Sequence, residues 1–136
     1  MTSALCAFAI IFAFAAGTVV AQARPALRDV PQIDNGLFTI GLADRIRKTC
    51  PEISARMLVA LGELSSLQRL ARDMGYTRDE VETHLDSEAE KDRLRARASA
   101  YFEDRGLNED VAGHCALGRS EIAQNSAVGR LLRLDN

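Results

Sequence analysis

The sequence offers little that does chemistry. Two histidines and three cysteines occur in 136 residues. No C-x-x-C pair is present, which removes thioredoxin-type redox motifs and C-x-x-C-H haem attachment. A Walker A phosphate loop, a dinucleotide-binding glycine fingerprint and a G-x-S-x-G nucleophile elbow are missing as well. The expectation is a protein that is not an enzyme and carries no cofactor. Glycine (nine) and proline (three) are scarce beside a 47% hydrophobic content, so extended disorder is not expected. A strong charge of one sign is also lacking. Lys and Arg number 17 against 19 Asp and Glu, and this near-balance argues against a dedicated nucleic-acid binder.

Charge is absent altogether from residues 1–23. Ala4 to Ala21 is an apolar block, Ala21-Gln22-Ala23 is an A-x-A pattern, and Arg24-Pro25 follows. This reads as a secretory signal peptide cut between Ala23 and Arg24, leaving a periplasmic or secreted protein. The start lacks the usual Lys or Arg. The competing reading is an uncleaved membrane anchor, since the block is nearly long enough to span. Cys6 does not suggest a lipoprotein, because no apolar region precedes it.

What remains is one small domain. Its two cysteines, Cys50 and Cys115, are most simply a disulfide in an oxidising compartment. Closing a loop of about 65 residues stabilises a fold by roughly 4 kcal/mol in the chain-entropy model. A redox pair is the alternative.

Hydrophobic periodicity predicts helices throughout. Residues 24–34, with Pro25 and Pro31, read as an extended arm. Asp34 or Asn35 opens a first helix through Thr49, with Leu37, Phe38, Leu42 and Ile46 on one stripe and Gly41 permitting close approach. Ile53, Met57, Ala60, Leu64, Leu67, Ala71 and Met74 recur at steps of four and three. That predicts a central rod from Pro51 to Gly75, roughly 35 Å long, on which the other helices pack. Pro51 suits its first position and Gly75 its stop. Thr77 to Glu80 is a capping box, and Ser87 to Glu90 a second one. Val81 and Leu85 fall roughly opposite Leu94, Ala98 and Tyr101 on a helical wheel, so a break, as a turn or a kink, is expected at Asp86-Ser87. The pairs Glu88–Lys91, Glu90–Arg93 and Asp92–Arg95 then read as a solvated face. Gly106 stops that helix, and Asn108 caps the next, with Val111, Cys115, Gly118 and Ile122 buried. Asn125-Ser126 is a stop before a short terminal turn burying Val128, Leu131 and Leu132. The fold class is all-α, a bundle of about five helices with one disulfide.

Candidate sites are few. Glu80 and His84 share a helix face at i,i+4, a surface ion pair or two ligands of a zinc site that needs two more. His114 beside Cys115 suggests a Cys–His pair, but neighbours on a helix point about 100° apart. Arg93 and Arg97 share a face that holds an anion or is satisfied by nearby acids.

The run VPQIDNGLFTIGLADRIRKTCPEISARM, the later HCALGRSEIA and the leader together resemble an uncharacterised family of small exported bacterial proteins, across essentially all of the chain after the leader. Members are sometimes labelled as the iron–sulfur component of respiratory NADH dehydrogenase that carries a two-iron cluster. A genuine component of that kind holds its cluster through four cysteines, whereas only two follow the leader here. The resemblance therefore implies at most an association with such a complex. The expectation is a non-catalytic accessory protein docking on an unknown envelope protein. The alternatives are a periplasmic holdase-type chaperone, or a metal or redox protein built on Glu80, His84, His114 and the cysteines.

Overall fold

The computed structural model describes residues 23–135. The expected signal peptide, Cys6 included, lies outside them up to residue 22. Helix α1 runs from Pro31 to Thr49, α2 from Met57 to Asp73, α3 from Arg78 to Asp86, α4 from Glu88 to Glu103 and α5 from Val111 to Ala123. Two short strands, β1 (Ile53–Ala55) and β2 (Leu132–Leu134), pair antiparallel with Ile53 opposite Leu134. Single 3-10 turns precede α1 (Leu27–Asp29) and β2 (Gly129–Leu131). The mostly helical class is as expected.

Two helix starts differ from expectation, and both concern proline. Pro31 sits at the first turn of α1 after extended Val30, where its missing N–H goes unneeded. The extended arm is therefore shorter than residues 24–34. Pro51 has the same local signature but starts no helix. Ile53 is buried, and the β1 backbone bonds to β2, with Arg56 N–H donating to Leu131 O at 2.8 Å and Asp135 N–H donating to Glu52 O at 2.9 Å. A partner strand that far along the chain is invisible in a local window. The terminal turn expected to bury Val128, Leu131 and Leu132 does bury them, but partly as this strand.

The organising element also differs. Phe38, Leu42, Ala43 and Ile46 of α1 join Ala98 and Phe102 of α4, Leu117 of α5, Ile53 and Leu131 in the main core. Helix α1 packs on α2, α4, α5 and β1. Among α2 residues only Leu67 and Ala71 are buried, so the 3.5-residue seam is half covered. A second cluster joins Leu27, Val30, Ile33, Ala71 and Tyr76. Gly118 lets α5 come close to α1 and β1, since a Cβ there would sit 2.4 Å from Ile53 Cδ1 and 2.7 Å from Ile46 Cγ2. Gly41 has no such duty; nothing lies within 4 Å of a Cβ there.

The stops are read correctly. Helix α2 closes through Tyr76 N–H to Ala71 O (3.0 Å) and Gly75 N–H to Arg72 O (2.8 Å), with Gly75 at φ 87°. Gly106 and Asn125 end α4 and α5 with the same pair of bonds, and both have positive φ. This is the Schellman arrangement. The break at Asp86-Ser87 is a real helix boundary, with Ser87 extended. The Thr77–Glu80 capping box forms in full. Ser87 accepts from Glu90 N–H, but the Glu90 carboxylate turns inward to arginines instead of completing a second box. Helix α5 is capped by Asp110, not Asn108: Gly113 N–H donates to Asp110 Oδ1 at 2.7 Å.

Candidate functional site

The disulfide is formed. Cys50 and Cys115 are bonded across 65 residues, with Cα atoms 5.0 Å apart. It ties the end of α1, rather than the start of a rod, to the middle of α5. Glu52 lies near both sulfurs, yet with the bridge closed no thiolate is free to bind a metal. Glu52 instead pairs with Arg119.

The buried face of α5 is rotated from the expected stripe. Val111 is exposed, while His114, Leu117, Gly118 and Glu121 are buried. Two polar residues on the inner face hide it from a hydrophobicity reading. His114 Nδ1 lies 2.7 Å from Asp110 O, and its ring is 4.6 Å from that of Phe102. Cys115 is bonded elsewhere, so no Cys–His pair forms. Glu121 accepts hydrogen bonds from Tyr101 Oη at 2.7 Å and from Ser126 Oγ. Burial, and then the Glu121 carboxylate, push the Tyr101 phenol up. Glu121 thus pins α4 to the end of α5, a role that only an unusual buried acid reveals.

Glu80 and His84 do not pair. The Glu80 carboxylate accepts from Thr77 N–H at 2.6 Å and meets Arg24 at 3.1 Å. The zinc set is not brought together; among the described residues, the only group of three or more possible metal ligands is Cys50, Glu52 and Cys115. Arg93 and Arg97 converge on Asp34, with Arg97 Nη1 to Asp34 Oδ2 at 3.0 Å and Arg97 also donating to Asn35. Acids satisfy them. Of the three α4 pairs, Glu88–Lys91 and Asp92–Arg95 are solvated. Glu90 is buried between Arg93, at 2.9 Å, and Arg28. The sequence marks it in no way that separates it from its neighbours.

The exposed apolar surface lies on α2. Leu58 is 86% exposed, Met57 54% and Leu61 53%; Leu58 stands roughly opposite buried Leu67 and Ala71 on the helix, whereas Met57 continues their stripe past the end of the core. Beside them a groove of about 280 Å³ runs between α1 and α2, lined by Ile40, Gly41, Ala60, Leu61, Leu64 and Leu131 among others. The open glycine leaves its α1 wall low. Single exposed leucines are ordinary, but Met57 and Leu61 line the groove and Leu58 stands next to them, so the apolar surface is contiguous.

A larger hollow, of about 760 Å³, lies where residues 23–28 cross α3 and the start of α4. Ala23 and Arg24 are both exposed there, and the Arg24 guanidinium stands 5.1 Å from the Tyr76 ring centroid. Among the described residues no helix is long and apolar enough to cross a membrane.

Fold and surface together define a disulfide-bonded helical domain with an apolar face on one helix. Residues 25–133 match the model of a family described as a family of unknown function, DUF5333. The chain belongs to that family. No curated protein and no solved structure matches it.

Proposed function

We propose that this chain is a non-catalytic exported protein, released by cleavage between Ala23 and Arg24, that docks on another envelope protein through α2. The observation that carries this reading is the Met57, Leu58 and Leu61 face beside its groove. A surface of this kind suits an amphipathic partner element with side chains that enter the groove. The Cys50–Cys115 bond supports the oxidising compartment that export implies. Association with a respiratory NADH dehydrogenase enters only as one identity the partner can have, since four cluster thiolates are not available here.

A periplasmic holdase is the second reading, favoured by the same apolar exposure. Stoichiometry separates the two. A photo-reactive phenylalanine analogue in place of Leu58 is irradiated in cells, with the same residue in place of exposed Arg95 on α4 as control. A docking protein gives one discrete adduct from position 58, none from 95, and loses it when Leu61→Asp is added. A broad ladder of adducts supports the holdase. No adduct at position 58 removes docking through α2.

A further inference from the structure

A second line of side chains runs along the outer surface of α2. Leu58, Leu61, Ser65, Arg69 and Arg72 recur at steps of three and four, and each is exposed. They lie on the side of the helix turned away from buried Leu67 and Ala71. A period of 3.5 residues is the spacing on which another helix packs. The line is apolar at its start and cationic at its end. Beside it, Gly62 has nothing within 4 Å of where a Cβ would stand, so the backbone of a neighbour can come close. The cations are unmet. Among the described residues, the Lys and Arg side chains that pair with no carboxylate are Arg56, Arg69, Arg72, Arg130 and Arg133. Arg69 and Arg72 are on this line; the others sit at the start of α2 or in the segment Gly129–Leu134 that adjoins it. Nearby acids do not serve them. Glu63 lies on another side of α2, in a hollow with Asn35 and Thr39. Asp73 makes no ion pair, and Glu82, which shares a hollow with Arg72, is taken by Arg78. The chain as a whole carries −2, so this is no general basic bias. Its acidic excess lies elsewhere, as on α3, where Asp79, Glu80, Glu82 and Asp86 stand against Arg78 alone.

We propose that the partner element docked on α2 is an acidic amphipathic helix. Its apolar side chains lie against Leu58, Leu61 and the groove, and its carboxylates meet Arg69 and Arg72. This rests on the reading that α2 docks a protein, and it adds the chemistry and orientation of what is docked. Leu58 to Arg72 spans about 21 Å at 1.5 Å per residue, so the occupant has about four turns. Its acidic end points toward the end of α2. Two other occupants fit less well. A bilayer favours interfacial aromatic side chains, but α2 has none, and part of its apolar surface is a concave groove. A second copy packed antiparallel sets its Arg69 and Arg72 against Leu61 and Leu58. Packed parallel, it sets arginine against arginine. Neither arrangement brings a carboxylate to the cations, whereas opposite charge across an interface fixes register and suppresses wrong partners.

A photo-reactive phenylalanine analogue in place of Ser65, midway along the line, tests this in cells expressing the full chain. The expected adduct has the same partner as the one from position 58. Its crosslinked peptide, sequenced by mass spectrometry, carries apolar residues at three- and four-residue spacing with Asp or Glu beyond one end. Arg69→Glu combined with Arg72→Glu lowers the adduct yield by about tenfold or more, whereas Arg69→Lys with Arg72→Lys keeps most of it. The peptide sequence keeps the test valid if the reversed variant does not fold. An adduct that survives charge reversal, or a crosslinked peptide without carboxylates, overturns the proposal and leaves docking through α2 standing. No adduct from position 58 or 65 removes both. An adduct of twice the chain mass assigns the face to a second copy. Flotation of the purified chain with phosphatidylglycerol vesicles, lost on charge reversal, assigns it to a bilayer. Either of these results also overturns the proposal.

Discussion

Replacing Cys50 and Cys115 together with alanine is expected to cost about 4 kcal/mol of stability. The bond closes a loop of 65 residues that contains β1, α2, α3 and α4, so the unfolded chain gains most of its freedom when the bond is lost. Domain stabilities lie at about 5–15 kcal/mol, and a loss of this size approaches the lower end of that range. Both residues are buried in the main core, so lost packing adds to the loss of the crosslink. The double variant avoids leaving one buried free thiol. Urea denaturation followed by far-UV circular dichroism measures the effect. A loss below about 1 kcal/mol, outside the usual range for native disulfides, contradicts a structural role for the bond.

Phe102→Ala is expected to lose about 3–5 kcal/mol, whereas Met57→Ala is expected to stay within about 0.5 kcal/mol. Phe102 is wholly buried, stacked at a tilt on His114 and approached by Arg45. Its carbonyl also receives Leu107 N–H at the end of α4, so the ring and the helix stop are fixed in one place. Met57 belongs to the periodic seam of α2 but is more than half exposed. The pair of variants separates two accounts of the core. A core organised on α2 makes Met57→Ala costly, while a core organised on α1, α4 and α5 makes it nearly silent. Equal losses from the two substitutions contradict the packing described above.

That contrast also shows what a sequence can tell. Signals that act within a turn or two are legible. Gly75 and Gly106 stop helices because their left-handed backbone is written in one residue. The Thr77–Glu80 box and the Asp86-Ser87 break need only neighbours a few positions away. The cysteine pair is legible because only two cysteines follow residue 23. Periodicity, by contrast, says which residues share a face and not whether anything covers it. Met57, Ala60 and Leu64 therefore read as core when they border an open groove. Pro31 and Pro51 carry the same local preference, and a strand from the other end of the domain decides between them. Buried acids are the least legible. Glu90 looks like any i,i+3 partner in a charged helix, and Glu121 like a surface acid, until Arg28, Tyr101 and Ser126 arrive from distant elements.

The proposed export underlies both the bond and the proposed docking, and the intact mass of the protein purified from the cell envelope tests it most directly. The predicted result is a chain that begins at Arg24 and is two hydrogens lighter than its reduced form, for the Cys50–Cys115 bond. A mass that retains residues 1–23, or one that shows two free thiols, contradicts it.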